Sequence, residues 1–258
     1  MSAQNTLAAK LRSLHVPGKP ILFTNVYDGA SARAIAALPQ TKALASASYA
    51  IAVAAGLADE DLTLDINLAG VRAIAIVAKE HGLPLTADFQ DGYGEQLEEG
   101  IQKLLDLGVV GINLEDYDKT AKKMIPISEA TERVRRVLAV AKNHGVPDFV
   151  VNARSDTLLH EGQVSDAIER GKAYLAAGAT TAFVWGSPSR GGITKSEVVE
   201  LVNGLEGRLN VILNTGAGGL PVSELAKIGV ARISMGPALQ FVAMKAYADA
   251  AEKLLLSQ

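Results

Sequence analysis

The segment Ala87-Asp88-Phe89-Gln90-Asp91-Gly92-Tyr93-Gly94 sets two carboxylates and an amide at the end of an apolar run, and Glu115-Asp116 ends the next such run. Carboxylate and amide oxygens are hard donors, and Mg2+ takes one or two protein carboxylates while keeping several waters. Acids gathered at one opening repel one another unless a cation lies among them. Asp88 and Asp91 have a plainer use as helix caps, which their type suits equally. Arg154, in Asn152-Ala153-Arg154-Ser155-Asp156, adds a planar five-donor fork suited to a carboxylate. An ion pair with Asp156 or Glu115 is its structural use.

The elements that must position these residues follow a rhythm. Eight apolar runs, at 21–27, 43–48, 84–89, 111–116, 149–154, 181–186, 210–215 and 231–236, each end in polar or acidic residues. Their hydrophobicity is continuous rather than alternating, which means burial on both faces, as in a parallel sheet. Stretches with helical spacing lie between them, such as 68–80, 96–107, 128–144, 163–177 and 223–229, and 5–14 suits a surface helix ahead of the first run. The alternation predicts an α/β fold, a (β/α)8 TIM barrel, as one domain over residues 1–258. Chemistry in such a barrel gathers at the carboxyl ends of the strands. The mouth then receives Asn25, Tyr27 and Asp28 from the first run and Ser46, Ser48 and Tyr49 from the second. Trp185 and Ser187 come from the sixth, and Asn214 and Thr215 from the seventh.

Composition narrows the function classes. A chain of 258 residues with 48% hydrophobic content fills one barrel. A net charge of −3 without a basic stripe argues against nucleic acid or an anionic membrane surface as partner. The absence of cysteine excludes disulfides, thiolate metal sites and thiol nucleophiles. No segment approaches the roughly 20 apolar residues that span a bilayer, and the first twenty residues lack a signal-type core, so the expected location is cytoplasmic. His15, His81, His144 and His160 lie near strand starts or in helical or loop stretches, away from any expected base position. The cationic, proline-bearing segment 117–127 reads as a mobile lid at the mouth. Residues 214–219 and 234–236 suit either a phosphate cradle or simple turns. Residues 237–256 are strongly helical and more apolar than one exposed helix needs.

Through Asn25 to Arg33, Ser48 to Gly56 with Asp59, Asp88 to Gly94, Gly111 to Asp116, Asn152 to Asp156 and Gly229 to Gly236, the chain resembles the isocitrate lyase and phosphoenolpyruvate mutase superfamily. The likeness is to its short branch of phosphonomutase-like and 2-oxocarboxylate-cleaving enzymes. The resemblance implies that Asp88 holds Mg2+ directly, with Mn2+ as the alternative ion, and that Glu115 holds it through water. Gln90 stands where the family has a second acid, completing the implied metal set. Arg154 corresponds to the clamp on the substrate carboxylate, while Ser48 and Tyr49 fall where the family meets the substrate's other end. Asp59 corresponds to an aspartate beside the reacting centre; capping the helix near Leu62 is its plainer use. The implied catalytic set is Asp59, Glu115 and Arg154, and the substrate contacts are Ser48, Tyr49, Asp88 and Arg154.

Two departures shape the expected chemistry. The lyases that split isocitrate or methylisocitrate carry a Lys-Cys-Gly-His lid, whereas this segment reads Lys119-Thr120-Ala121-Lys122-Lys123-Met124. Those two activities are therefore not expected. Gln90 removes one negative charge, which weakens the hold on a cation. The expected function is Mg2+-dependent lyase, hydrolase or decarboxylase cleavage of a carbon–carbon bond in a small 2-oxo or 2-hydroxy (di)carboxylate, by way of an enolpyruvate-type fragment. The alternatives are carbon–phosphorus chemistry on a phosphonopyruvate-like substrate and a non-catalytic metabolite-binding barrel. No strand ends in a lysine for a Schiff base. The resemblance further implies exchange of a late helix between subunits in a homo-oligomer, dimer or tetramer.

Overall fold

Apolar runs with both faces covered form the parallel sheet they predict. The computed structural model describes residues 2–186, 190–216 and 218–257, so Ser187 and Ala217 of the expected mouth lie outside the described residues. The first strands are β1 (Ile21–Phe23), β2 (Leu44–Ala45), β3 (Leu85–Asp88) and β4 (Gly111–Glu115). A short antiparallel ribbon, β5 (Tyr117–Asp118) with β6 (Lys123–Met124), interrupts the series. The series resumes with β7 (Val150–Ser155), β8 (Thr181–Val184), β9 (Leu209–Ile212) and β10 (Arg232–Ser234). The eight-stranded sheet runs β1-β10-β9-β8-β7-β4-β3-β2, and a parallel bridge from Val26 to Ser46 joins its two edges. This is the (β/α)8 architecture; apart from β7, the strands are shorter than the apolar runs because the remaining residues turn into the flanking loops.

Asn25 holds the seam. Its Nδ2 donates to the Ser46 carbonyl at 2.8 Å, and its Oδ1 accepts from the Met235 and Gly236 amides, each at 3.0 Å. Asp28 is spent on local structure, as one half of a capping box with Ser31 that opens helix α2 (Gly29–Ala36). At the opposite end, helix α1 (Ala3–Ser13) covers the barrel floor, with Leu11 fully buried and Asn5 bonded to Asp148.

The outer helices bury the faces that their spacing requires. After α3 (Ser48–Ala54), helix α4 (Leu64–Glu80) turns Leu64, Leu68, Val71, Ile74 and Ala75 inward. Helix α5 (Leu97–Asp106) approaches β3 so closely that a Cβ at Gly100 would lie 2.4 Å from Phe89 Cζ. That contact explains a glycine inside a helix, a position it otherwise destabilises. Helices α6 (Ile127–Asn143), α7 (Val164–Ala176), α8 (Lys195–Gly204) and α9 (Val222–Ile228) continue the ring. Helix α10 (Ala238–Leu255) stands out from it, with Gln240 as its one buried residue among those described. No helix of the described residues is long and apolar enough to cross a membrane.

Candidate active site

Asp88 ends β3, opposite Asn113 of β4, and the register then brings the Gln90 carbonyl onto the Glu115 amide at 2.8 Å. Backbone pairing alone therefore sets Asp88, Gln90 and Glu115 beside one another. Asp88 Oδ2 accepts from both the amide (3.0 Å) and the hydroxyl (2.8 Å) of Ser48, the first residue of α3. Hydrogen bonds to a charged acceptor contribute about 1.5–3 kcal/mol each. The other oxygen, Oδ1, faces the Asn113 amide nitrogen at a loose 3.5 Å. Ser46 Oγ receives the Asp88 amide, and Asn67 of α4 donates to the Asp88 carbonyl and to the Tyr93 hydroxyl.

Gln90 is buried and has a left-handed backbone, φ 47°, which a non-glycine residue adopts at a cost. Its Nε2 donates to Asp59 Oδ1 at 3.0 Å and to the Asp59 carbonyl at 3.1 Å. An acid at position 90 would repel Asp59 instead. Lys119 Nζ lies 3.6 Å from Asp59 Oδ2, so the ribbon segment is tied to the same carboxylate. Capping of α4 falls to Thr63, which leaves Asp59 for these two partners. Asp91 closes its own turn by accepting from the Tyr93 amide and also accepts from the Lys119 amide. The expected lid thus contains a folded ribbon whose Tyr117 ring stacks on His160 at 3.8 Å. Beside it, a cavity of about 630 Å³ opens between Gln90, Tyr93, Lys119 and Arg133.

Arg154 is flanked by both of its expected acids. Nη1 donates to Glu115 Oε1 at 2.7 Å and Nε to Asp156 Oδ1 at 2.6 Å. Its guanidinium lies over the rings of Trp185 (4.9 Å) and Phe183 (5.6 Å). Burial pushes the Glu115 carboxyl up to about 8 against the pull of Arg154. Burial alone would lower Arg154, but Asp156 and Glu115 raise it on balance. Both shifts describe one fact: the arginine stays charged, and the carboxylate depends on it for company.

Other sequence candidates lie elsewhere. Tyr49 is 41% exposed and turns its ring edge-on to Phe241 of α10 rather than beside Asp88. Asp116 points behind the sheet, accepting from the Tyr174 hydroxyl, Arg170 and the Asp156 amide. Asn214 is spent on loop structure, accepting from the Gly216 amide and donating to the Gly191 carbonyl of the neighbouring loop. Asn67 and Asn113 were not singled out by sequence reasoning. The available signal for Asn67 was an amide on the otherwise apolar stripe of α4.

The donor set fits a hard cation. Among the described residues no three His, Cys, Asp or Glu side chains form a metal cluster. Mg2+ does not need one, because water fills most of its shell. What the site offers is Gln90 Oε1 and the second Glu115 oxygen, neither with a hydrogen-bond donor among the described residues, beside the loosely held Asp88 Oδ1.

Comparison with known proteins places the chain in a family. The family profile described as phosphoenolpyruvate phosphomutase matches residues 11–255. An uncharacterized protein of Mycobacterium tuberculosis is 29% identical over 92% of this chain and 86% of its own. Phosphoenolpyruvate phosphomutase of Streptomyces hygroscopicus is 26% identical over 84% of this chain and 70% of its own. The structure of oxaloacetate acetylhydrolase in complex with the product oxalate superposes with a TM-score of 0.81 at 28% identity, covering 97% of this chain and 86% of that one. The chain belongs to the phosphoenolpyruvate phosphomutase family, within the phosphoenolpyruvate mutase and isocitrate lyase superfamily.

Proposed function

We propose that this protein is a Mg2+-dependent enzyme that cleaves a carbon–carbon bond in a small 2-oxo or 2-hydroxy (di)carboxylate. The observation that carries the reading is that Asp88, Gln90 and Glu115, at the ends of neighbouring strands, each keep an oxygen with no close donor among the described residues, while Arg154 is paired to Glu115. Asp88 would hold the ion, with Glu115 and Gln90 as acceptors for its waters. Bound there, the ion supplies an electrophile for the negative charge that develops on a 2-oxo oxygen during cleavage.

The remaining work falls to the chain itself. Arg154 has one guanidinium nitrogen, Nη2, outside its two ion pairs. That nitrogen is placed to donate to a substrate carboxylate, and the Trp185 and Phe183 faces restrain the group's rotation. Ser48 fixes the Asp88 carboxylate by two bonds, so its orientation is paid for before a ligand arrives. Asp59, held by Gln90 and Lys119, is the carboxylate best placed to accept or return a proton at the mouth. Lys119 offers a positive charge to a departing anion.

The phosphomutase profile over residues 11–255 favours one second reading, carbon–phosphorus chemistry on a phosphonopyruvate-like acid. A panel of oxaloacetate, substituted malates and phosphonopyruvate, with and without Mg2+, separates the two by product. Asp88→Ala should abolish turnover and the Mg2+-dependent rise in melting temperature while far-ultraviolet circular dichroism stays unchanged. Ligand binding without turnover on any of these substrates would instead identify a metabolite-binding barrel.

A further inference from the structure

Arg232 is completely buried in the barrel interior, and no carboxylate of the described residues lies within ion-pair distance of it. Its strand, β10, stands diametrically opposite β4 in the strand order. The side chain nevertheless crosses the lumen to donate from Nη2 to Asn113 Oδ1 at 3.0 Å. The Phe23 ring lies 4.5 Å from the guanidinium, and Nε has no partner. On the floor side, Nη1 is 3.5 Å from His15 Nε2. His15 Nδ1 lies 2.9 Å from the Leu11 carbonyl, an acceptor, so Nδ1 carries the proton and Nε2 is a bare lone pair. A cation placed so deep is costly unless something repays it. The charge nearest in effect is Asp88, reached through Asn113.

Asn113 is the hinge of this arrangement. Its Oδ1 accepts from Arg232 and from Asn152 Nδ2 (2.8 Å), while Thr181 fixes Asn152 by donating to its Oδ1 at 2.6 Å. With two donors on its oxygen, Asn113 can present only its NH2 to Asp88 Oδ1. A flipped amide would set that NH2 against a guanidinium and leave two oxygens facing each other at the mouth.

We propose that Arg232 is a positioning residue for Asp88: by occupying the Asn113 oxygen from across the barrel, it turns the Asn113 nitrogen onto Asp88 Oδ1 and holds the carboxylate ready for a cation. This rests on the reading of Asp88 as the ion's ligand. It adds a part that none of the mouth residues supplies, a charge seated beneath the site and acting through one amide.

The test is Mn2+ binding to the purified full chain, followed by electron paramagnetic resonance and paired with circular dichroism. Substitutions of groups that orient metal ligands typically cost 10–100-fold in affinity. Arg232→Met should raise the Mn2+ Kd by about 10-fold or more. Asn113→Leu should do the same, and the double variant should bind no more weakly than Asn113→Leu alone. Arg232→Lys keeps a cationic donor and should fall between wild type and Arg232→Met; it carries the test if the methionine variant does not fold. In wild-type protein labelled with 15N-asparagine, Mg2+ should shift the Asn113 side-chain amide resonances. Additive losses in the double variant would overturn the proposal. So would unchanged Mn2+ affinity in Arg232→Met, or tighter affinity, the sign expected if Arg232 acted only as a repelling charge. A wild-type protein that binds no Mn2+ would remove the metal reading of Asp88, and this proposal with it.

Discussion

Arg154→Met removes the one cation that separates two buried carboxylates. The side chains of Arg154, Glu115 and Asp156 are 14%, 6% and 3% exposed, and the contacts are 2.7 and 2.6 Å. Breaking a buried pair from one side costs about 3–5 kcal/mol, because the remaining charge stays uncompensated. At about 2–4 °C per kcal/mol for a chain of this size, the melting temperature should fall by roughly 6–20 °C at neutral pH. The loss should also depend on pH. Glu115 is already raised from an ordinary 4.5 to about 8 by burial, and losing Arg154 raises it further. A folded state that keeps protons the unfolded chain has released loses stability as pH rises. The gap between variant and wild type should therefore be smaller at pH 6 than at pH 9, where the wild-type carboxylate is charged and paired. Urea unfolding at both pH values measures it, and Mg2+ at pH 9 should narrow it by restoring positive charge at Glu115. A gap that is equal at both pH values, or absent at pH 9, would refute this account of the pair.

Gln90→Glu should tighten Mg2+ binding by adding a charge and should free Asp59 from its amide donor. Calorimetry measures the first effect. Faster proteolysis within residues 117–127 reports the second, since Lys119 is anchored on Asp59. Helix α10 exposes Phe241 (52%), Tyr247 (76%) and Leu254 (72%), an apolar surface that a homo-oligomer would cover. Light scattering should give a mass that is a multiple of 27.0 kDa, reduced towards one chain in Phe241→Glu/Tyr247→Glu; a monomeric wild type contradicts it.

Strand positions were legible because burial on both faces forces continuous apolar runs; β3, β4, β8 and β10 fall inside them, and β7 overruns its own by one residue, Ser155. Helix α4 begins at Leu64 rather than near Leu68, because Thr63 caps it and Asn67 occupies its inner face without breaking the turn. The same logic placed Asp88, Gln90, Glu115 and Arg154 at strand ends, which is a property of local pattern. Tyr49 and Asp116 show its limit. Both follow strand ends, yet the first residue of a helix and its neighbour face different ways, as do alternate residues leaving a strand. Ser48 therefore meets Asp88 while Tyr49 meets α10, and Glu115 meets Arg154 while Asp116 meets Tyr174.

By itself the amino-acid order determined the alternation of elements, the face on which polar residues collect and the charge lost at Gln90, since each depends on neighbours within a few positions. Only the closed barrel decided that Gln90 would donate to Asp59, that Arg154 would lie between two acids, and that Arg232 would reach Asn113 across the lumen. These pairings join residues 31, 39 and 119 positions apart, or in one case two apart around a bend. The strand register that aligns them is set by the packing of all eight strands together, so no local stretch of sequence contains it.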